Sequence, residues 1–180
     1  KGYDPQTKTY HTTWADLTVG CEGCHGPAGD HVKRATDAKA TGTTAALPPL
    51  LAFGPGHQAA ELATCGACHS RRADFTQASP PIGSAFGDQY GLALLTPDLY
   101  FSDGQQNAEV YILGSFLQSK MADKGVTCTN CHDPHSGKLV AEGNAICTQC
   151  HSEAGRSEFP SLTHKNYDTP AHSHHLAGGT

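Results

Sequence analysis

Apolar positions recur at helical spacing in one long stretch of this 180-residue chain. Val110, Leu113, Leu117 and Met121 fall on one face with Ile112 and Phe116 beside it, and the pattern predicts a helix over residues 107–123. Ser102 or Asp103 stands where a cap would form, and Gly125 suits the C-terminal stop. On that stripe Met121 reads as a packing residue rather than a metal ligand. Shorter helices are expected over 14–24, 58–68 and 144–151, and another over 31–39. The segments 40–56 and 76–97, rich in small residues, Gly and Pro, read as loops. No alternating stretch gives a useful strand signal. The fold class expected is mostly irregular with short α-helices, in one structural unit spanning 1–180.

Composition sharpens the picture. Hydrophobic residues make up 37% of the chain and aromatics 7%, with one Trp, one Met, 20 Gly and 11 Pro, which leaves few large side chains to fill a core. The interior is therefore expected to come partly from something other than side chains. A formal net charge of −5 lacks the basic face that a nucleic-acid partner would need. The longest apolar cluster, 45–53, is broken by Pro48 and Pro49, and no run of 18 apolar residues is available as a transmembrane segment. The sequence starts at Lys1 without an apolar leader, so any export signal is expected to have been removed or to lie outside it.

The chemistry is carried by eight cysteines in four C-x-x-C pairs, each followed at once by histidine: Cys21, Cys24 and His25; Cys65, Cys68 and His69; Cys128, Cys131 and His132; Cys147, Cys150 and His151. With 12 His in the chain, chance would place a His after all four pairs in about two of 100,000 sequences, and the pattern is that of c-type haem attachment. Two thiols three residues apart lie on one side of a helical turn, where each can form a thioether to one vinyl group of the same porphyrin. The next residue then projects its imidazole toward the iron. Four haem c groups are implied, one iron in each. A zinc ribbon also uses paired C-x-x-C but needs no His after each pair. A thioredoxin-like site would be single and sit in a βαβ unit, and a disulfide framework ignores the spacing.

Four proximal histidines leave eight others, of which four suffice as distal ligands. His31 follows the first motif closely enough for a tight turn to bring it over a neighbouring macrocycle, and His135 lies three residues past His132 behind Pro134. The tail residues His172, His174 and His175 supply further candidates, with His172 and His175 foremost. His57 is either a ligand or a helix-start residue after Gly54-Pro55-Gly56; His11 and His164 are weaker candidates. Bis-His ligation implies lower potentials than Met/His ligation. The motifs start 44, 63 and 19 residues apart, and the last interval puts the third and fourth haems side by side. At this density stacked haems would form the core. Arg71, Arg72, Lys120 and Lys124 are available to offset propionate charge.

Beyond the first motif with its Gly26-Pro27, the strings Cys68-His69-Ser70-Arg71-Arg72, Asp103-Gly104-Gln105, residues 114–121, Cys131-His132-Asp133-Pro134-His135-Ser136 and Gly143-Asn144-Ala145, together with the tail histidines, cover nearly the whole chain. In these the sequence resembles the cytochrome c554-like multihaem proteins with doubled C-x-x-C-H motifs, often fused to tetratricopeptide repeats. The resemblance implies a multihaem cytochrome c fold, distal ligation by His31, His135 and one or more of the terminal cluster, and transfer of electrons between periplasmic, outer-membrane or extracellular redox proteins, other multihaem cytochromes among them. Members usually carry further C-x-x-C-H motifs just before the Lys1-Gly2-Tyr3-Asp4-Pro5 stretch and just beyond the tail histidines. The sequence is thus expected to be either a piece of a longer protein or a compact tetrahaem version whose flanking roles fall to neighbouring subunits. The second option is similar to extracellular cytochrome filaments, homopolymers in which haems stack across interfaces and a His is donated by the next subunit.

Bis-His irons leave no open site, so outer-sphere electron transfer is expected rather than enzymatic turnover. The filament subunit is the alternative. A nitrite- or hydroxylamine-type oxidoreductase would need one iron without a distal ligand, and no C-x-x-C-K variant points to one. Thioether attachment takes place on the outer side of the cytoplasmic membrane, which makes the expected location periplasmic or extracellular in a prokaryote.

Overall fold

The computed structural model describes residues 2–14, 17–44, 51–76, 81–167 and 169–173. Contacts within the polypeptide group it into two compact units, Lys1–Leu51 and Ala52–Thr180. The first attachment motif lies in the former and the other three in the latter.

The first unit opens with a ribbon in which β1 (Tyr3–Asp4) pairs antiparallel with β2 (Thr9–Tyr10), setting Tyr3 opposite Tyr10 with their rings 4.9 Å apart. Its turn is closed by the Asp4 carboxylate, which accepts the Gln6 backbone N–H at 2.8 Å. Of the helix expected over 14–24, residues 15 and 16 lie outside the described residues and the others give one turn, α1 (Glu22–His25), so that Cys24 lies inside a short helix. Thr18, Val19, Gly20 and Gly23 are weak helix formers, and the Gly23 N–H closes a turn on the Gly20 carbonyl instead. By contrast, α2 (Gly29–Thr41) is longer than the expected 31–39. It ends where Gly42 takes φ +66° and returns its N–H to the Ala38 carbonyl.

In the second unit α3 (Gln58–Gly66) begins as expected after the Gly54-Pro55-Gly56 turn and leads into the second motif. The segment 76–97 is not all loop. Within it α4 (Phe86–Gln89) delivers the chain to an antiparallel ribbon of β3 (Arg72–Asp74) and β4 (Tyr90–Leu92). The ribbon is pinned by the Arg72 guanidinium, which lies 3.8 Å above the Tyr90 ring and pairs with Asp74.

The long helix expected over 107–123 is broken up. Residues 107–112 lie outside any helix, with Tyr111 at φ +59° bridged to Ser70, and only α5 (Leu113–Leu117) and α6 (Lys120–Asp123) are helical. Ser119 interrupts the run because it takes extended angles and its hydroxyl caps α6 through the Ala122 N–H. Gly125 does stop the segment: its N–H reaches Ala122 while Val126 reaches Met121, a Schellman closure. Packing divides the predicted stripe. Val110 and Leu113 are buried, the former with Leu99 and Tyr100 against Ala93 and Ala108, whereas Leu117 and Met121 are about half exposed, so Met121 is not a core residue.

A 3-10 turn (Cys128–Asn130) follows, then a third ribbon of β5 (His132–Asp133) and β6 (Lys138–Leu139), then α7 (Ala145–Thr148) and α8 (Pro170–Ser173). The three ribbons went unpredicted because strands of two or three residues are too short to show a period of two. Among the described residues the buried apolar set is small, namely Ala63, Leu99, Tyr100, Val110, Leu113 and Ala122. Many large apolar side chains, including Trp14, Leu17, Val19 and Leu94, are left largely exposed.

Candidate haem-attachment sites

Each motif bends its backbone so that the two thiols lie on the same side. The second cysteine donates its N–H to the carbonyl of the first at 3.2 Å in the first, second and fourth motifs and 3.1 Å in the third. In three of them the following histidine continues the turn, with the N–H of His25, His69 and His151 reaching the first-cysteine carbonyl at 2.9, 2.8 and 2.9 Å. The third departs from this pattern. Its turn ends at Asn130, and His132 opens β5 opposite Leu139. Thr127 and Asn130 form a capping box that holds this turn, the Thr127 N–H meeting Asn130 Oδ1 at 2.7 Å.

These donor sets fit covalent haem. None of the eight cysteines is joined in a disulfide, so thioether formation has no S–S bond to break. In the first unit Cys21 is exposed at the N-cap position of α1, and Cys24 is half-buried within the helix. The Nδ1 of His25, the next residue, lies 3.3 Å from the Leu51 carbonyl, the contact that holds a ring's orientation and leaves Nε2 for a metal. A zinc ribbon needs its ligands gathered around one point, and no group of three or more His, Cys, Asp or Glu is so gathered among the described residues.

The second unit also brings motifs together. Cys65 of the second hydrogen-bonds to Cys128 of the third, and this bond holds the Cys128 thiol below its ordinary pKa in spite of burial. Cys131 lies within electrostatic reach of Cys150 and Cys147 of the fourth motif. Burial first, and then those two groups, push its thiol up. Burial likewise raises Cys150. Gln149 ties the same pair of motifs, donating to the Asn130 carbonyl at 3.1 Å. The neighbourhood of motifs three and four follows from their 19-residue interval; that of two and three, 63 residues apart, does not.

The histidines expected as distal ligands are spread widely. His31 is half-buried in the first turn of α2. His57 is exposed at the N-cap position of α3, the helix-start reading of that residue. His135 sits at the tip of the β5–β6 hairpin, its Nδ1 3.9 Å from Asp133, whose carboxyl is held low by the Ser136 hydroxyl and the His135 N–H. His172, on α8, meets the edge of Tyr167 at 5.0 Å, and Tyr167 in turn meets His151 of the fourth motif at 5.2 Å. His174 and His175 lie outside the described residues. His11 and His164 are exposed. Three of the four basic residues are engaged with protein groups: Arg72 Nε donates to the Ala67 carbonyl inside the second motif at 2.7 Å, Arg71 donates to the Glu109 carbonyl, and Lys124 pairs with Asp123.

Two polar residues of α3 escaped notice in the sequence. Gln58 donates to the carbonyls of Ala122 and Val126 at 2.8 and 3.2 Å, and Glu61, fully buried, accepts from Gly54 and Thr129. The steps of three residues from Gln58 to Glu61 and four from Glu61 to Cys65 put all three on one helical face, and this was the available signal.

A family model for the doubled CXXCH motif matches residues 120–156. The chain thus carries the haem-attachment motif of multihaem c-type cytochromes. No curated protein and no solved structure matches it. The matched span covers the third and fourth motifs, the pair that Gln149 holds together. Cys21 and Cys24 of the first motif, and Cys65 and Cys68 of the second, fall outside it. The attached cofactor is haem c, whose iron supplies one-electron chemistry. Cytochromes of this kind typically work outside the cytoplasm, and no helix among the described residues is long and apolar enough to cross a membrane.

Proposed function

We propose that the chain relays electrons between periplasmic or extracellular redox proteins through four haem c groups, stacked so that they supply much of the interior. The attachment points are Cys21 with Cys24, Cys65 with Cys68, Cys128 with Cys131, and Cys147 with Cys150. The observation that carries this is the contiguity of motifs two, three and four, through Thr129 with Glu61 on the helix of the second motif and Gln149 with Asn130. Motifs tied in this way start their porphyrins from neighbouring points, which is what transfer from haem to haem requires. For the pair Cys21 and Cys24, the support is the helical turn that aligns the two thiols and the Leu51 carbonyl beside His25. In this reading His25, His69, His132 and His151 are the proximal ligands, and His31, His135, His172 and His175 are foremost among the distal candidates, with His57 in reserve. The polypeptide then has three tasks: to anchor the vinyl edges, to orient the proximal rings as Leu51 does for His25, and to cover porphyrin faces with its exposed apolar side chains.

The test is a pyridine haemochrome assay combined with the intact mass of the purified protein, followed by absorption and EPR spectra. Four haems per chain, low-spin ferric signals throughout and no carbon monoxide adduct of the reduced form are expected. A smaller haem count refutes the tetrahaem assignment, and a high-spin, carbon monoxide-binding iron refutes bis-His ligation at that site.

A further inference from the structure

Glu61 is completely buried, and a buried carboxylate is costly unless its oxygens are occupied. Here they are. Oε1 accepts the Thr129 backbone N–H at 2.7 Å, and Oε2 accepts the Gly54 N–H at 2.9 Å and the Thr129 hydroxyl at 3.1 Å. None of the ion pairs among the described residues involves it. Thr129 is the residue directly after Cys128 inside the third motif, and Glu61 stands one helical turn before Cys65 of the second. The face of α3 that carries Gln58, Glu61 and Cys65 thus engages the segment 122–129 at three successive levels: Gln58 on the carbonyls of Ala122 and Val126, Glu61 on Thr129, Cys65 on Cys128. Two hydrogen bonds from one carboxylate to a single residue fix both translation and rotation, which apolar packing at this interface would leave loose.

We propose that Glu61 is a positioning residue for electron transfer, its carboxylate setting the separation and mutual orientation of the haems attached at Cys65/Cys68 and Cys128/Cys131. The inference rests on haem being present at both motifs, as proposed above. It assigns the tuning of that pair to a side chain that belongs to neither attachment motif.

The experiment uses the haem-loaded protein and compares wild type with Glu61→Gln and Thr129→Val by haem count, EPR of the oxidised form and redox titration. Glu61→Gln sets an amide N–H against the backbone donors, and Thr129→Val removes one anchor while keeping the carboxylate charge. An unchanged haem-to-protein ratio, with an altered spin–spin coupling pattern and altered spacing of successive midpoint potentials in both variants, is the result expected. Coupling and titration curves that superimpose on wild type overturn the proposal. Should Glu61→Gln fail to accumulate, Thr129→Val alone decides by the same criteria. Val110→Ala is the control for general loosening: it should lower the melting temperature without moving the coupling, and an equal change there also overturns the proposal. A wild-type protein lacking haem at motif two or three would instead refute the underlying tetrahaem reading, and the haem count reports this separately.

Discussion

Gly66 lies inside the second motif, between Cys65 and Ala67, where the backbone passes close to the core. A methyl group built there would stand 2.6 Å from Leu113 Cδ2 and 3.2 Å from two ring carbons of Phe86. Carbon atoms favour about 3.5–4.0 Å, so Leu113 would have to withdraw by about 1 Å. It has little room to do so, being only 4% exposed, and its own N–H is fixed to the His69 carbonyl at 3.1 Å. Overpacking of this kind costs about 1–3 kcal/mol, offset by up to about 1 kcal/mol from alanine's better helix propensity. Gly66→Ala is thus expected to lose about 1–2 kcal/mol, equivalent to about 2–8 °C in melting temperature for a chain of this length. Gly87 in α4 is the matched control. A methyl there meets nothing within 4 Å, and Gly87→Ala should be neutral or gain about 0.4–1 kcal/mol through the unfolded state. Melting curves followed by far-ultraviolet circular dichroism on haem-matched samples make the comparison. The reasoning is refuted if Gly66→Ala melts at or above wild type, or if Gly87→Ala falls as far.

Val110→Ala removes two carbons from a side chain that is 1% exposed and should cost about 2 kcal/mol, read as a lower urea midpoint with an unchanged slope. Arg72→Lys keeps the charge but gives up the planar fork that reaches Ala67 and stacks on Tyr90; hydrogen exchange of the β3–β4 amides should quicken although net charge is unchanged. At Asp4 the Gln6 N–H, then Thr7, hold the carboxyl below its ordinary pKa. Its contribution to the β1–β2 turn is therefore complete above the unfolded-state value and fades as pH falls through the folded one. The Gln6 amide resonance should titrate with a midpoint below that of Asp in an unstructured peptide, and Asp4→Asn should abolish the titration.

Much of the chemistry was legible in the chain because it is local. A C-x-x-C-H string dictates its own turn, and the same holds for the start of α3, set by Gly54-Pro55-Gly56, and for the stop at Gly125. Around Cys24 the motif's turn formed although the longer helix leading into it did not, because Gly20 and Gly23 weaken everything upstream. The helix over 107–123 was misread because apolar spacing counts only while the backbone stays helical. Tyr111, drawn into a bridge with Ser70, and Ser119, acting as a cap, both leave that region, although every apolar residue keeps its place in the pattern. What the sequence concealed is non-local. Neither the meeting of Cys65 with Cys128 nor the burial of Glu61 follows from spacing, since both depend on which segment covers the polar face of α3.

The bond from Thr129 to Glu61 closes a span of 68 residues, whereas that from Gln149 to Asn130 closes 19. Loop-closure entropy separates the two by about 1.1 kcal/mol, favouring the shorter. A chain made from its N-terminus at about 5–20 residues per second finishes Glu61 roughly 3–14 s before Thr129 exists. During that interval the α3 carboxylate has no partner from the third motif. Chain entropy thus favours the late, local pair, whereas synthesis completes Thr129 before Gln149 and gives the early helix its partner first.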